Sequence, residues 1–544
     1  SPRSSGLSYS HRIPIADHGF TWPRFPNAPC GPVCKRRTGC QPACGSQRRK
    51  MRTHDSCPPP LHASPFADVR ALWQCERLLS AFPDQTVLAS NASYSTWNGR
   101  WADTAELLPS CVFRPLAVED VSYAVKTLAK PVGNSKNHYC PFSIKGGGHT
   151  PWAGANNVDG GVAIDLTYLN QTTLSADRSV ISLGGGTIWH DAYSNMDGQG
   201  VAFPGGRCPG TGVGGVTLGG GYSWFTGQIG FVADNIVNYE VVLASGSIVN
   251  ANASSHSDLF RALKGGNNNF GVVTRFDLAT IQHNQQVFGG LAIVPPSISD
   301  EVLAALQSFT DDSTGIHVSE GLTIEYFMDP STGDGQVLLW LIDTDANGTH
   351  AALQPFFDME PKLLNQVYQT SIADYPTSVP PVSRVLMADL TFVNDLDTIK
   401  GVYNLTIEVM NTVSHIPNLT WDFQFEPMSR HVIEASNAQG GNVMGLDTAT
   451  EDLLVLFLMP LWEDAQYDSE VHAAAELWYN SIKEYTISRG KDHRWEFANY
   501  AAWFQDPMAS YGPENLKFLQ DVSRKYDPSG LFQKAVRGGY KLGL

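Results

Sequence analysis

The sequence predicts a two-domain α+β protein. With 544 residues, the chain is too long for one core of ordinary size, so at least two packed units are expected. Up to about residue 284, short apolar segments typical of strands alternate with glycine clusters and with segments of helical periodicity. From about residue 285 the segments become longer and the glycine clusters stop. This change of pattern predicts one domain over residues 66–284 and a second domain over residues 285–490.

The first 65 residues differ from the rest of the chain. They contain ten Lys and Arg residues against two Asp residues, are rich in Pro, Ser and Cys, and show no periodic apolar pattern. We interpret residues 1–65 as a disordered or misassigned basic leader. Four of the five cysteines of this leader follow a C-x3-C-x5-C-x3-C spacing that is not the usual spacing of a zinc site, so no metal is predicted; these four are Cys30, Cys34, Cys40 and Cys44.

The composition of the whole chain restricts the class of partner. Its 42% hydrophobic and 17% charged residues are typical of a folded globular protein. The formal net charge of −16 argues against nucleic acid and anionic membrane surfaces, because both bind basic faces. The strongest apolar run, Leu453 to Met459, stops at Pro460 and is far shorter than a membrane span. We therefore expect a soluble protein whose partners are small molecules, without nucleic acid or membrane partners.

The first domain is expected to begin with two helices and to continue with short strands. Apolar residues recur at helical spacing over residues 68–82 and 115–129, and Glu119 and Asp120 stand in the first turn of the second helix. Strands are predicted at residues 141–144, 161–166, 180–183 and 239–243, several of them followed by glycine clusters.

The second domain is expected to be an antiparallel sheet covered by helices. Its predicted strands are residues 287–295, 336–342, 420–425 and 453–461, and its predicted helices include residues 300–309 and 470–485. A further segment, residues 491–544, contains a predicted helix at residues 513–525 that follows a Ser-Tyr-Gly turn.

The glycine clusters point to a large anionic ligand. Between Gly184 and Gly230 there are sixteen glycines in 47 positions, far above the usual share of about 7%. A stretch of this kind cannot form a regular helix, and it allows the backbone to approach a ligand closely. Peptide N–H groups can converge on phosphate oxygens where side chains are absent. The sequence therefore predicts a nucleotide cofactor.

One of these clusters matches a familiar fingerprint. Gly210-Thr-Gly-Val-Gly-Gly215 has the G-x-G-x-x-G spacing of a dinucleotide-binding βαβ unit, and Asp234 follows about twenty residues later. That fingerprint requires a helix directly after it. Here Gly219-Gly-Gly221 follows, and each glycine disfavours a helix by about 1 kcal/mol. We therefore expect no dinucleotide-binding helix at this position.

Four segments together resemble the FAD domain of the berberine bridge enzyme-like flavoproteins, which belong to the vanillyl-alcohol oxidase/PCMH superfamily. They are Ile144-Lys-Gly-Gly-Gly-His-Thr150, Gly160-Gly-Val-Ala-Ile-Asp-Leu166, Gly206-Arg-Cys-Pro-Gly-Thr-Gly-Val-Gly-Gly215 and Leu263-Lys-Gly-Gly-Asn-Asn-Asn-Phe-Gly271. The tail, with Phe497-Ala-Asn-Tyr500, resembles the C-terminal segment of the same family, and the likeness runs from about residue 70 to the end. The resemblance implies a PCMH-type FAD-binding domain to which residues 491–544 return, joined to the substrate domain of residues 285–490.

The resemblance also implies a covalently bound FAD. His149 is expected to be bonded to the 8α carbon of the flavin, and Cys208 stands where doubly linked members carry a cysteine bonded to flavin C6. The alternatives are a packed loop histidine and a buried thiol or disulfide cysteine. The remaining residues expected to bind FAD are Gly146, Gly147, Gly148, Thr150, Gly212, Gly214, Gly215, Gly219, Gly220 and Asn499.

The activity implied by the resemblance is that of an oxidoreductase. A hydride is expected to pass from a C–H bond of an alcohol, sugar or secondary metabolite to the flavin, while a side-chain base takes a proton and O2 serves as acceptor. Tyr500 is the expected substrate-contacting residue, with a packed aromatic side chain as the alternative. The family often has an acid two residues later, where this chain has Ala502, so the resemblance does not carry a proton-handling role to that position.

The second domain offers two candidates for the base. Residues 420–426 alternate strictly, so that Asp422, Gln424 and Glu426 share one face of a strand. If this face lines the substrate cleft, Glu426 or Asp422 is the expected base. A solvated sheet face is the commoner explanation of such a pattern.

The sequence leaves two alternatives to the oxidase function open, and it also suggests a cellular location. A bound flavin also supports cyclisation or isomerisation without net oxidation, and a flavin-loaded binding protein without redox activity is a further alternative. We expect a secreted glycoprotein with one disulfide, Cys75 with Cys140. The N-x-[ST] sequons that permit glycosylation are at Asn91, Asn170, Asn252, Asn347, Asn404 and Asn418.

Overall fold

The computed structural model describes residues 69–130, 139–311, 317–346, 350–375 and 382–544. The predicted leader, residues 1–65, lies outside these ranges. Within them the main chain forms a four-stranded sheet, a five-stranded sheet, an eight-stranded sheet and two two-stranded ribbons. The mixture of sheets and helices confirms the predicted α+β class.

The four-stranded sheet comes first in the chain and has the spatial order β1-β2-β4-β3. Its strands are β1 (Thr86–Leu88), β2 (Cys111–Phe113), β3 (Phe142–Lys145) and β4 (Val162–Asp165). β1 runs antiparallel to β2, whereas β2, β4 and β3 are parallel to one another. The helices of this part are α1 (Val69–Ala81), α2 (Tyr94–Asn98) and α3 (Val118–Leu128).

The predicted helix at residues 115–129 begins three residues later than expected. The carboxylate of Asp120 accepts hydrogen bonds from the backbone N–H groups of Leu116, at 3.0 Å, and Ala117, at 3.2 Å. These bonds satisfy donors at the N-terminus of α3, so regular helix begins at Val118.

The disulfide prediction was wrong. Cys75 of α1 is bonded to Cys111 of β2, and their Cα atoms are 5.9 Å apart. Cys140 precedes β3, which is the edge strand farthest from β1 in this sheet, while α1 packs against β1, β2 and β4. Sequence spacing does not show which strand a helix covers, so it could not select the partner.

The five-stranded sheet carries the glycine-rich loops and is antiparallel, in the order β5-β6-β10-β8-β9. The strands in this region are β5 (Thr172–Leu174), β6 (Val180–Gly184), β7 (Val201–Ala202), β8 (Ile236–Val242), β9 (Ile248–Asn252), β10 (Val272–Ala279) and β11 (Ile281–Gln282). The helices are α4 (Trp189–Met196), α5 (Val213–Leu218), α6 (Thr226–Ile229) and α7 (Ser257–Leu263). A six-residue helix, α5, begins inside the G-x-G-x-x-G motif at Val213 and ends at Leu218, directly before the run of three glycines that starts at Gly219.

The eight-stranded sheet is antiparallel throughout, in the order β15-β12-β14-β13-β18-β19-β17-β21. The strands from here on are β12 (Gln286–Val294), β13 (Glu320–Met328), β14 (Gly335–Asp343), β15 (Leu364–Ser371), β16 (Arg384–Val385), β17 (Ala388–Val393), β18 (Trp421–Met428), β19 (Leu453–Leu458), β20 (Leu461–Trp462) and β21 (Asp492–His493). The helices are α8 (Ser299–Thr310), α9 (Gln354–Asp358), α10 (Leu396–Thr412), α11 (Arg430–Ala438) and α12 (Asp468–Ser488).

Helices cover one face of this sheet, as predicted. Val302 of α8, Val402 of α10 and Trp478 of α12 are buried in one apolar cluster with the strand residues Ile324 and Phe423. The opposite face of β13 and β18 carries polar side chains, and the candidate site lies on that face.

The C-terminal segment adds α13 (Pro507–Ser510), α14 (Pro513–Tyr526) and α15 (Leu531–Lys534). Leu519 of α14 is buried in the same cluster as Phe276 of β10, and Phe532 of α15 is buried with residues of α1 and α3. Residues beyond 491 therefore pack against the sheets of the first half of the chain. Among the helices that the structure describes, none has both the length and the apolar character required to cross a membrane.

Candidate active site

Two glycine loops meet at the centre of the candidate site. A Cβ atom added to Gly147 would lie 2.5 Å from the backbone nitrogen of Gly212, and one added to Gly212 would lie 2.3 Å from that of Gly147. Such distances are well inside van der Waals contact, so both positions require glycine for steric reasons. The contact brings the loop after β3 against the loop before α5, and with it the two residues expected to hold the flavin.

His149 and Cys208 lie side by side at this junction. His149 Nε2 is 3.9 Å from Cys208 Sγ, and the imidazole ring stacks on Trp101 with ring centres 3.8 Å apart and planes 13° apart. Burial lowers the pKa of His149 to about 4, so the ring is neutral and one nitrogen keeps a free lone pair. Burial raises the pKa of Cys208 to about 11, so the sulfur is a thiol at neutral pH.

Asn499 ties the C-terminal segment to the third glycine cluster. Its Oδ1 accepts a hydrogen bond from Gly221 N at 3.0 Å, while Nδ2 donates to the carbonyl oxygens of Gly215, at 3.1 Å, and Val216, at 3.2 Å. A Cβ atom at Gly219 would lie only 2.6 Å from Asn499 Nδ2. Asn499 was expected to contact FAD. In the structure, its side-chain amide holds the glycine-rich loop that is expected to bind FAD.

The other predicted cofactor residues fall around the same loops. Gly148 and Gly220 adopt φ angles of +73° and +114°, a region that favours glycine. A Cβ at Gly146 would lie 3.1 Å from Gly185 O, and one at Gly214 would lie 3.4 Å from the same oxygen. Thr150 is exposed, and its carbonyl oxygen accepts a hydrogen bond from Asn156 Nδ2 at 3.1 Å.

The residues of this region fit a dinucleotide. Within the described ranges, Thr187 Oγ1, Trp189 Nε1 and Thr217 Oγ1 are buried and have no hydrogen-bond partner in the protein. Added Cβ atoms at Gly210 and Gly215 would meet no other atom within 4 Å, so the loops leave open space there. Polar atoms without partners beside open backbone are what a phosphate-bearing and sugar-bearing ligand requires. In the same ranges, no group of three or more His, Cys, Asp or Glu residues could hold a metal ion.

Next to Cys208, Arg207 organises a second group of polar side chains. Its Nη2 donates to Glu426 Oε1 at 2.5 Å and to the Tyr500 hydroxyl at 2.7 Å, and its Nη1 donates to Thr323 Oγ1 at 2.7 Å. The Tyr500 hydroxyl itself donates to Glu426 Oε1 at 3.0 Å. A glycine-rich loop, two strands of the large sheet and the C-terminal segment therefore converge on one guanidinium group.

Aromatic rings and a carboxylate keep this guanidinium charged. Arg207 lies over the rings of Tyr222, at 4.6 Å, and Trp224, at 5.1 Å. Burial alone would lower the pKa of Arg207, but the neighbouring Glu426 carboxylate outweighs it and raises that pKa. Burial, together with the charge of Glu426, raises the pKa of the Tyr500 phenol well above its ordinary value.

Tyr500 connects the two groups of residues. Its ring stacks on Phe457 of β19, with ring centres 4.2 Å apart. Tyr500 and Phe457 belong to the same apolar cluster as Trp101, which stacks on His149. Because Arg207 also precedes Cys208 directly in the chain, the Arg207–Glu426–Tyr500 network lies beside the His149–Cys208 pair.

The structure decides between the alternatives for the polar face of β18. Glu426 is 1% exposed and Asp422 is 0% exposed, so the expectation of a solvated sheet face was wrong. Arg207 of a glycine-rich loop and Tyr500 of the C-terminal segment contact Glu426 on this face. Glu426 accepts a hydrogen bond from the Tyr500 hydroxyl, whereas Asp422 lies beside Glu325.

Sequence reasoning missed Arg207, Trp101 and Trp224. Arg207 lies in the glycine-rich segment 206–215, directly before Cys208, the predicted flavin cysteine. An arginine among glycines was the one local feature that could have indicated a functional role for it. Its partner Glu426 is 219 residues away in the chain, so the ion pair itself left no local pattern.

Comparison with known proteins agrees with this geometry. Residues 109–252 match the family described as FAD binding domain. The FAD-dependent monooxygenase FUP4 of Fusarium proliferatum is 33% identical over 465 residues, which cover 81% of this chain and 87% of that protein. The bifunctional solanapyrone synthase of Alternaria solani is 30% identical, over 81% of this chain and 82% of its own length.

Solved structures share the fold at lower identity. A structure of the glucooligosaccharide oxidase of Acremonium strictum, concerned with its 6-S-cysteinyl, 8α-N1-histidyl FAD, has a TM-score of 0.70 and 18% identity, covering 86% of this chain and 99% of the other. The Physcomitrella patens BBE-like 1 protein has a TM-score of 0.66 and 18% identity, covering 84% of this chain and 97% of the other. With relatives above 30% identity matched over most of their length, this chain belongs to the family of FAD-linked oxidoreductases that contains these fungal FAD-dependent monooxygenases, and it has the PCMH-type fold of the berberine bridge enzyme-like proteins.

Proposed function

We propose that this FAD-dependent oxidoreductase oxidises a carbon that carries a hydroxyl or amine group on a small organic molecule such as an alcohol, a sugar or a secondary metabolite. FAD, when bound, supplies the acceptor for the hydride, and O2 then takes the electrons to give hydrogen peroxide. The observation that carries the proposal is the Tyr500 hydroxyl, held between Arg207 and Glu426 beside the His149–Cys208 pair.

Tyr500 and Glu426 act together as the base. The substrate proton passes to the Tyr500 oxygen as the phenol gives its own proton to Glu426 Oε1, 3.0 Å away. A free phenolate is costly at this buried position, because the pKa of Tyr500 is strongly raised, so the coupled transfer avoids it. Arg207 donates a hydrogen bond to each of the two acceptor oxygens and so fixes both in place.

His149 and Cys208 hold the cofactor covalently, with His149 bonded to the 8α carbon and Cys208 to C6 of the flavin. Three features support the double link: the 3.9 Å separation of the two reactive atoms, the neutral imidazole, and the doubly linked FAD of the glucooligosaccharide oxidase that shares the fold. Asn499 and the glycine loops position the cofactor through the backbone.

The test of this function is anaerobic reduction of the holoenzyme by a panel of alcohols, sugars and phenolic metabolites, followed by peroxide release in air. With a substrate found in this way, Tyr500→Phe and Glu426→Gln should each slow flavin bleaching by about 10²–10⁴-fold. Tyr123→Phe, at an exposed tyrosine of α3, is the matched control and should bleach at the wild-type rate. Wild-type rates in both site variants would refute the proposed base, and product without peroxide would favour a cyclase or isomerase.

We propose further that the protein passes through the secretory pathway and is N-glycosylated. The Cys75–Cys111 disulfide suits an oxidising compartment, and the sequon asparagines Asn170 and Asn404 are exposed. Peptide mapping without reduction and deglycosylation of protein from the native source test both points. A reduced Cys75 together with unmodified sequons would contradict the proposal.

A further inference from the structure

A row of polar side chains leads away from Glu426 along the covered face of the large sheet. In the β13–β18 register, Glu325 stands opposite Gln424 and Phe327 opposite Asp422. Side chains two apart on a strand share a face, so Glu325 and Asp422 are diagonal neighbours on the same face as Glu426. The proposed base is therefore followed, one step along the sheet, by a second pair of carboxyl groups.

The two carboxyl groups of this second pair have unequal surroundings. Glu325 Oε2 accepts a hydrogen bond from the indole Nε1 of Trp340 at 2.6 Å. Asp422 Oδ1 receives only a long contact of 3.4 Å from Gln424 Nε2. Within the described part of the chain, Asp422 Oδ2 is buried without a donor. A strong donor stabilises a carboxylate, so ionisation favours Glu325 and protonation favours Asp422.

The two groups also lie within hydrogen-bonding reach of each other. Carboxylate oxygens are acceptors only, so this contact is a hydrogen bond only when one of the two groups carries a proton. Burial is the main cause that raises the pKa of Glu325 and of Asp422, and the charge of Glu325 adds to the effect on Asp422. Two ionised carboxylates within hydrogen-bonding reach of each other, shielded from bulk water, would repel each other strongly.

We propose that Asp422 holds one proton shared with Glu325, leaving Glu325 as a fixed anion that strengthens Glu426 and Tyr500 as the base. This inference rests on the proposed function, in which Glu426 and Tyr500 accept the substrate proton. Glu325 and Asp422 are positioning residues in this scheme, because they act on the proton affinity of Glu426 and do not touch the reacting atoms.

The charges around Glu426 explain why Glu325 matters. Arg207 supplies a positive charge in contact with Glu426, while the neighbouring side chains of Tyr500, Tyr222 and Thr323 are neutral. Asp389 of β17 also acts on this region, and burial raises its pKa well above the ordinary value. With Glu426 and Arg207 balancing each other, the anion on Glu325 makes uptake of a proton by Glu426 more favourable.

The test compares Glu325→Gln with Asp422→Asn in the holoenzyme, using the pH profile of flavin reduction under substrate-limited conditions. Glu325→Gln removes the anion, so the acidic limb of the profile should move to lower pH by about one unit. Asp422→Asn replaces a neutral acid with a neutral amide that still donates to Glu325, so the limb should stay in place. Equal shifts in the two variants, or no shift in Glu325→Gln, would overturn the proposal.

Infrared spectroscopy of the resting holoenzyme supplies a readout that needs no turnover. At neutral pH, the spectrum of the wild-type protein minus that of Asp422→Asn should show a buried protonated carboxyl band, and this band should persist in Glu325→Gln. Absence of the band from the difference spectrum would overturn the assignment of the proton. If Glu325→Gln does not fold, Trp340→Phe removes the donor to Glu325 and should move the acidic limb in the same direction.

The two proposals fail in different ways. Full activity of Tyr500→Phe would refute the proposed base while the Asp422 band remained. A band that behaves as expected, together with an unmoved limb in Glu325→Gln, would leave the base intact and refute the role of Glu325.

Discussion

His149 Nε2 and Cys208 Sγ lie 3.9 Å apart, although 59 residues separate them in the chain. The contact of Gly147 with Gly212 produces this proximity, because it brings two loops together where no side chain intervenes. One cofactor can therefore be reached by both residues.

This proximity predicts two independent flavin links. In acid-precipitated and washed protein, the wild type should keep its yellow colour, and each of His149→Ala and Cys208→Ala should keep part of it. Only the double variant should release all flavin, and intact mass should show the same pattern. Complete release from the wild type would contradict covalent attachment while leaving the fold untouched.

The buried Arg207–Glu426 pair predicts a strong asymmetry in stability. Arg207→Met leaves Glu426 buried without its cation and should cost about 3–5 kcal/mol of unfolding free energy. Adding Glu426→Gln to that variant removes the stranded charge and should restore much of the loss. Denaturant titrations of the single and double variants measure both effects. A double variant no more stable than Arg207→Met would show that the charge is not the cause.

The crossing of the glycine loops predicts a contrast between neighbouring glycines. Gly212→Ala would place a Cβ atom 2.3 Å from Gly147 N, so this variant should fold poorly and lose flavin. Gly210→Ala meets no protein atom within 4 Å and should melt like the wild type. Thermal melting and flavin content of the purified variants test the contrast. Equal melting temperatures would show that the loops separate readily.

His493 predicts a pH dependence of stability. Burial first, and then the charge of Arg494, lower its pKa from 6.5 to about 4. Between these values the unfolded state binds the proton and the folded state does not, so stability present above about pH 6.5 is lost as the pH falls to about 4. His493→Gln should reduce the slope of unfolding free energy in this window by up to about 1.4 kcal/mol per pH unit. Parallel curves for variant and wild type would contradict the assigned shift.

Local patterns predicted the elements well, because they depend on neighbours in sequence. The helix that became Val118–Leu128 followed from apolar spacing, and Asp120 near its start gives the observed N-terminal hydrogen bonds. The alternation of residues 420–426 correctly placed Glu426 and Asp422 on one face. It could not show that this face is covered, because the covering residues are distant in the chain.

Long-range pairing accounts for what the sequence did not show. Cys75 forms its disulfide with Cys111 because α1 packs over β2. Arg207 forms its ion pair with Glu426 because a loop and a strand that are distant in the chain converge. Neither arrangement leaves a periodic signature. The carboxyl pair of Glu325 and Asp422 likewise depends on strand register, which alternation within one strand cannot supply.

The amide of Asn499 has a consequence for biosynthesis. It bonds to the backbone of Gly215, Val216 and Gly221, residues made more than 270 positions earlier. During translation, therefore, the nucleotide-binding loops leave the ribosome long before the side chain that fastens them. Stable binding of the flavin is therefore expected only after this late segment has been synthesised, because a chain that stops before residue 499 lacks the side chain that holds the glycine-rich loops. A molecule that retains flavin is thus expected to have a complete and packed C-terminal segment.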